Sequence, residues 1–173
     1  MPEPGLGRPG TTGRRATKPC PCSYLGHPTR ACVCAESEIT KYRSRLSGPL
    51  ADRIDMQVTL TPVPLVTLDA NTTAESSIAI RSRVEAARSL QRRRYAATRG
   101  ITCNAHASGR WLLTRGQLAA DARRRLVEGS ESLHLSARAY HRVLRVARTI
   151  ADLDASDVVT SEHVGEALRY RQR

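Results

Sequence analysis

The chain has 173 residues and a formal net charge of +12, and its 40% hydrophobic and 25% charged residues match globular usage, which excludes wholesale disorder. It has no Phe and one Trp, so its core must be mainly aliphatic, and no apolar run approaches the roughly 20 residues that span a bilayer. Residues 1–19 lack the apolar segment of a secretory signal, so we expect a cytoplasmic chain without membrane association.

The chain begins with a segment rich in Gly, Pro, Thr and Arg, which predicts a disordered basic tail over residues 1–19. Four cysteines follow close together: Cys20, Cys22, Cys32 and Cys34. In a reducing compartment this cluster predicts a metal site before disulfides, and four thiolates close a tetrahedral, structural Zn²⁺ site. The alternative is a loop of four free thiols. His27 lies inside the loop as an alternative ligand, and the isolated Cys103 receives no role.

Two short elements are expected after the cysteines. Ser37 is placed to cap a helix that ends at residues 47–49, with apolar positions at Ile39, Tyr42 and Leu46. Residues 56–60 alternate apolar and polar side chains, which predicts a strand with one buried face, ended by Pro62 and Pro64. Because one strand cannot make a sheet, this half of the chain is expected to be the end of a larger folded unit.

The C-terminal half predicts helices alone. After a polar linker at residues 65–75, the longest helix runs from about 76 to 97 and carries apolar residues on one side, Ile80, Val84, Ala87 and Leu90. A loop at 100–110 precedes three shorter helices, roughly 115–128, 137–153 and 161–171. Ser136 and Thr160 are placed to cap the last two. The predicted core positions of the middle one are Val143, Leu144, Ala147 and Ile150.

The positive charge has two interpretations. A polyanion such as DNA, RNA or nucleotide phosphate is the natural partner of a strongly basic chain. A high-GC genome also enriches arginine over lysine, and of the 28 basic residues only Lys18 and Lys41 are lysines. Individual arginines therefore need arguments of their own.

Three segments together resemble one family. They are the cysteine loop 20–34, the sequence Ser47-Gly-Pro-Leu-Ala-Asp-Arg-Ile-Asp55, and the helix 135–153. In that order they resemble the cysteine loop, the arginine-finger segment and the sensor-2 helix of Mg-chelatase-like AAA+ ATPases of the YifB or ComM type. The resemblance covers about residues 19–172. It implies a mainly α fold, with the C-terminal helical lid bundle of an AAA+ module at 76–173 and a remnant of the α/β ATPase core at 20–64.

The resemblance implies roles for two arginines. Arg53 occupies the arginine-finger position, which in an AAA+ ring stabilises transition-state charge on the nucleotide of a neighbouring subunit. Asp52 and Asp55 can orient its guanidinium, and without the resemblance Arg53 would be interpreted as a surface ion-pair partner. Arg138 occupies the sensor-2 position in the first turn of its helix, where the helix dipole favours anions. Solvent-facing or structural ion-pair roles are assigned to the later arginines of this helix, Arg142, Arg145 and Arg148.

The family's ATP-binding core is missing from this sequence. The sequence contains no G-x-x-x-x-G-K-[ST] loop to hold phosphates and no strand with an acidic pair to organise Mg²⁺. Where the family has a strand and a sensor-1 Asn before the cysteines, residues 15–19 read RATKP, and Ser23 and Ala51 stand where Gly and Leu are usual. The simplest explanation is a truncated or frame-disrupted member that hydrolyses no ATP on its own.

Three functions fit these features. The first is the C-terminal fragment of a DNA-remodelling motor, since the resemblance implies hexameric, ATP- and Mg²⁺-dependent enzymes that act on DNA in recombination. Its partners would be intact AAA+ subunits or a separate N-terminal half. The second is an Arg-rich module, stabilised by zinc in its cysteine loop, that binds nucleic acid non-specifically through arginines 92–94 and 123–125. The third is a regulator that docks on an intact paralogue and offers Arg53 in trans.

Overall fold

The chain forms two compact units, Met1–Leu46 and Ser47–Arg173. A computed structural model describes residues 16–45, 52–63 and 74–171. The first unit contains helix α1 (Glu36–Ser44) within this part of the chain. The described helices of the second unit are α2 (Ser77–Tyr95), a 3₁₀ helix (Asn104–His106), α3 (Gly109–Arg115), α4 (Ala120–Ser132), α5 (Ala137–Leu153) and α6 (Ser161–Arg169). The predicted mainly α fold is confirmed.

Several expectations fall outside the described residues. They include most of the N-terminal tail, the helix stop at 47–49, Leu46, Pro64 and most of the linker at 65–75. The proposed domain boundaries therefore stay predictions. Among the helices that the structure describes, none is both long and apolar enough to cross a bilayer.

Helix α5 lies at the centre of the second unit, with α2, α3, α4 and α6 packed against it. Its four predicted core residues are all buried, which confirms the helical periodicity: Val143, Leu144, Ala147 and Ile150. The surrounding core is aliphatic except for Tyr95, whose ring lies 4.8 Å from that of Trp111. The apolar face of α5 packs against the other helices and is removed from water, which stabilises the unit.

The helix starts follow capping chemistry. Ser76 Oγ accepts the Ala79 N–H and Ser136 Oγ accepts the Ala139 N–H, each at 3.2 Å. Thr160 is the N-cap residue of α6, and the Nδ1 atom of His163 accepts the Thr160 N–H at 3.0 Å. The predicted caps at Ser136 and Thr160 are therefore confirmed.

Three details of the predicted elements are wrong. Helix α1 begins after Ala35, not Ser37, because the Glu38 carboxylate accepts the Ala35 N–H at 2.9 Å. The loop expected at 100–110 includes the start of α3, where Ser108 Oγ accepts the Trp111 N–H at 3.1 Å. The helix expected at 115–128 begins only at Ala120, after a single parallel bridge between Leu118 and Val159.

The predicted strand at 56–60 is also wrong, since no strand occurs in the described segments. Its alternating apolar residues stay at the surface, with Met56 45%, Val58 63% and Leu60 87% exposed. One ladder-like bond is present, from the Gln57 N–H to the Tyr170 carbonyl at 2.8 Å. A strand needs a partner strand to satisfy its backbone and cover its apolar face, and the described residues supply none.

Candidate functional site

The four clustered cysteines converge on one point in the first unit. Their sulfur atoms all lie within 4.8 Å of one another. The Cys20 Sγ is 3.4 Å from that of Cys22 and 3.7 Å from that of Cys32, and the Cys22–Cys32 separation is 3.6 Å. The Cys34 Sγ accepts the Cys22 N–H at 3.4 Å. A zinc ion with Zn–S bonds of about 2.3 Å requires sulfur–sulfur edges of about 3.8 Å, so the donor set fits tetrahedral zinc.

The electrostatics of the cluster also favour a cation. Backbone N–H groups of Tyr24 and Val33 lower the pKa of Cys22 to about 6, so that its thiolate is the natural first ligand. The Cys22 N–H acts to lower the pKa of Cys34, but burial and the neighbouring thiols raise it to about 12. The pKa of Cys32 is also raised, because burial and the same neighbours outweigh its backbone hydrogen bond. Further thiolates this close together require a positive ion between them.

The loop between the cysteine pairs is ordered by local contacts. The His27 Nδ1 atom accepts the N–H groups of Thr29 and Arg30, both at 3.2 Å, so His27 organises the turn and lies outside the sulfur cluster. Ser23 has a φ of 75°, a left-handed conformation that costs a non-glycine residue about 1–2 kcal/mol. Glycine adopts this conformation without the steric cost, so it is the residue that fits the Ser23 position best.

Arg53 lies in a segment, residues 52–57, that is bound to other parts of the second unit. Asp52 Oδ2 accepts a hydrogen bond from Ser136 Oγ at 2.7 Å, and Asp55 forms an ion pair with Arg142. The expectation that these two aspartates orient the Arg53 guanidinium is therefore wrong, since their carboxylates bind α5. The side chain of Arg53 is exposed.

Arg138 is also exposed, in the first turn of α5, two residues after the capping Ser136. The contact between Asp52 and Ser136 therefore brings the segment of Arg53 to the end of α5 that carries Arg138. The structure places both arginines in the second unit and the cysteine cluster in the first.

The remaining arginines of α5 are structural. Arg145 Nε donates to the Ala107 carbonyl at 3.0 Å. Arg142 forms an ion pair with Asp55, which is the structural ion-pair role predicted for it. Arg148 is completely buried, so the solvent-facing alternative is wrong for this residue. Burial lowers its pKa, whereas the neighbouring Asp152 carboxylate acts in the opposite direction. Asp152 is itself buried and binds Arg94 at 2.5 Å.

The position of Arg94 separates the arginine run at 92–94 into different environments. Arg92 and Arg93 are exposed, whereas Arg94 is half-buried and donates two hydrogen bonds to Asp152, so its charge is already paired within the protein. Sequence reasoning missed this buried network, which also includes Tyr95 and Asn104. Its one local signal is the Arg148–Asp152 spacing, since residues four apart on a helix are neighbours.

Comparison with known proteins gives two family matches. Residues 14–68 match the family of the magnesium chelatase subunit ChlI, and residues 74–171 match the C-terminal domain of that subunit. The chain is 35% identical over 158 residues to the protein YifB of Escherichia coli, covering 90% of the chain and 30% of that protein. It is 32% identical to the competence protein ComM of Haemophilus influenzae with the same coverage, and 32% identical over 157 residues to Rv2897c of Mycobacterium tuberculosis, covering 91% of the chain and 30% of that relative. The chain therefore spans about 30% of the length of these relatives.

Proposed function

The chain belongs to the magnesium chelatase ChlI family, and on that premise we propose that it serves as the C-terminal portion of an AAA+ ATPase that remodels DNA. One relative, ComM of Haemophilus influenzae, is named as a competence protein, and this supports a role in handling DNA. The single observation that carries the proposal is the fixed segment 52–57, which leaves Arg53 exposed beside the Arg138 end of α5.

Arg53 is proposed as the arginine finger. A guanidinium supplied by a neighbouring subunit stabilises the charge that develops on the γ-phosphate during hydrolysis, and such a group typically contributes roughly 10³–10⁵ in rate. This role requires a side chain that is free to leave its own subunit's surface. The exposure of Arg53 and the engagement of its flanking aspartates elsewhere support it.

Arg138 is proposed to bind the γ-phosphate of its own subunit's nucleotide. It lies in the first turn of a 17-residue helix, where the helix dipole and the guanidinium act together on an anion. The exposed position of Arg138 leaves it accessible to a nucleotide held by another part of the ATPase.

The phosphate-binding loop must come from elsewhere, because the 173 residues contain no G-x-x-x-x-G-K-[ST] sequence. We therefore expect the chain to act on ATP and Mg²⁺ only together with intact AAA+ subunits or a separate N-terminal half, in a hexameric ring. The family match and the commitment of Arg94 to Asp152 favour this function over the non-specific nucleic-acid-binding module.

The test is ATP hydrolysis by an intact relative, YifB of Escherichia coli, with and without this chain. We expect no turnover by the chain alone and stimulation of the relative, which is lost with Arg53→Ala. Arg83→Ala is the matched control, since Arg83 is an exposed arginine of α2 paired with Glu75. Stimulation that persists in Arg53→Ala, or turnover by the isolated chain that does not need Arg53, would contradict the proposal.

The cysteine cluster is proposed to bind one structural zinc ion. Cys20 is the only buried residue among residues 16–45, so apolar burial cannot hold this unit together and a metal supplies the missing stability. We expect about one equivalent of zinc in the purified chain by elemental analysis and none in the Cys20→Ser/Cys32→Ser variant. Cys103→Ser serves as the control, and equal zinc content in all three proteins would refute the site.

A further inference from the structure

We propose that Asp52, Asp55 and Arg142 are positioning residues that hold Arg53 against α5, so that the two phosphate-directed arginines move as one body. The consequence for hydrolysis depends on the proposed function of Arg53 and Arg138. The docking itself depends only on contacts within the second unit. These contacts join a segment that precedes α2 to the helix that carries Arg138.

Four contacts in six residues hold the segment. Two come from side chains, Asp52 to Ser136 and Asp55 to Arg142. Two come from the backbone, where the Ile54 carbonyl accepts a hydrogen bond from Arg171 at 2.5 Å and the Gln57 N–H donates to the Tyr170 carbonyl at 2.8 Å. The segment is therefore fixed at both ends of its length, at the start of α5 and just beyond the end of α6.

The contact at the start of α5 uses the capping group itself. Ser136 Oγ accepts the Ala139 N–H and donates to Asp52, so one hydroxyl joins the helix start to the segment. The Asp52 carboxylate also lies near the N-terminus of α5, where a negative charge is stabilised by the helix dipole. A displacement of this helix end must therefore move Asp52 or break a charge-assisted hydrogen bond.

The second contact adds a side chain nearly two turns after Ser136 along α5. The Arg142 side chain is 18% exposed and that of Asp55 is 55% exposed, so this pair is shielded from solvent on the arginine side only. Arg53 lies between the two anchored aspartates. A shift of α5 that follows phosphate contact at Arg138 is thus transmitted to Arg53 through discrete bonds, which gives the coupling a physical route.

Amide hydrogen exchange of the full-length chain tests the docking, with the Gln57 N–H as the reporter. Asp55→Arg places two arginines together, and we expect Gln57 to exchange about tenfold faster, as it should in Arg142→Asp. The double variant restores the pair in reverse, and exchange should return to within about threefold of the original chain. Arg83→Asp, on α2, creates a like-charge pair with Glu75, which precedes the helix, and it should leave the exchange rate of the Gln57 N–H unchanged.

Stimulated ATP hydrolysis in the presence of intact YifB tests the positioning role. Asp55→Arg should lower kcat with little change in KM, and the double variant Asp55→Arg/Arg142→Asp should recover it, whereas Arg53→Ala should not be rescued by any change at Asp55. Unchanged Gln57 exchange in Asp55→Arg and Arg142→Asp, or a double variant that restores neither readout, overturns this inference even if stimulation persists. An original chain that fails to stimulate overturns the proposed function of Arg53, whatever the exchange shows.

Discussion

Arg148 is the largest fully buried side chain in the part of the chain that the structure describes. Its guanidinium donates to three backbone carbonyls, those of Gly116, Ser156 and Asp157, and binds the Asp152 carboxylate at 3.0 Å. Both members of the Arg148–Asp152 pair are fully buried. A buried ion pair of this kind is tolerated because almost every donor has an acceptor, and removal of one partner leaves the other charge without compensation.

We predict that Arg148→Met lowers the free energy of unfolding by about 3–5 kcal/mol, measured by urea denaturation. The physical reason is that Asp152 keeps only Arg94 as a charged partner and that three buried carbonyls lose their donor. Arg124→Met provides the control on an exposed face of α4 and should change stability by no more than about 0.5 kcal/mol. Similar stability losses in the two variants would show that Arg148 is not specially placed.

The depth of Arg148 could not be predicted from the sequence. The spacing of Arg148 and Asp152 indicates a helical pair, but it does not distinguish an exposed pair from a buried one. Burial arises from the loops that follow α3 and α5, whose carbonyls close over the guanidinium. Those contacts join positions 116 and 148, which no local pattern connects.

At the scale of elements, α3 and α5 approach closely at a glycine. Gly109 is buried in the first turn of α3, and a Cβ at this position would overlap the ring of His141 on α5. At Gly165 on α6, the nearest atoms to an added Cβ belong to the guanidinium of the exposed Arg125, 2.8 Å away, which can move. The two glycines therefore differ in their tolerance of a methyl group.

Gly109→Ala should destabilise the chain by about 1–3 kcal/mol, because the overlap with His141 outweighs the gain in helix propensity. Gly165→Ala should be neutral or stabilise by up to about 1 kcal/mol, since alanine is the better helix former. Thermal unfolding monitored by circular dichroism measures both. Introduction of His141→Ala into Gly109→Ala should restore part of the loss, and failure to do so would exclude the close approach as the cause.

Elements with local signals were predictable, and elements that need a partner were not. The caps at Ser136 and Thr160 depend on side chains next to their own helix, so sequence located the starts of α5 and α6 correctly. The segment 56–60 has the alternation of a strand, but a strand also needs a partner, and the described residues supply none. The cysteine cluster was predictable because the two Cys-x-Cys pairs are close in sequence. The hydrogen bond between Asp52 and Ser136 was not predictable, because the two residues are 84 positions apart.

At the scale of the whole molecule, the two units should differ in what stabilises them. Helix α1 has no buried residue, whereas α5 has nine, so the first unit depends on its cysteine loop and the second on its apolar core. Removal of the proposed zinc ion would therefore act on the first kind of stability alone.

We predict that chelation of zinc from the full-length chain abolishes hydrogen-exchange protection in α1 and leaves α5 protected. The Cys20→Ser/Cys32→Ser variant should show the same unprotected α1 before any chelator is added. Loss of protection in both helices at once would contradict the independence of the two stabilising sources. Retained protection of α1 in the metal-free chain would instead show that the cysteine loop holds without zinc.

The bonds from Arg148 to the Ser156 and Asp157 carbonyls also restrict how the chain can vary in length. Surface loops usually accept insertions at little cost, because their backbone is satisfied by water. The loop between α5 and α6 is different, since its carbonyls accept hydrogen bonds from a buried guanidinium. The adjacent Val159 also pairs with Leu118. An inserted tag or extra residue there would uncover a buried charge, so the turn after α2, at residues 97–100, is the better place for a reporter group.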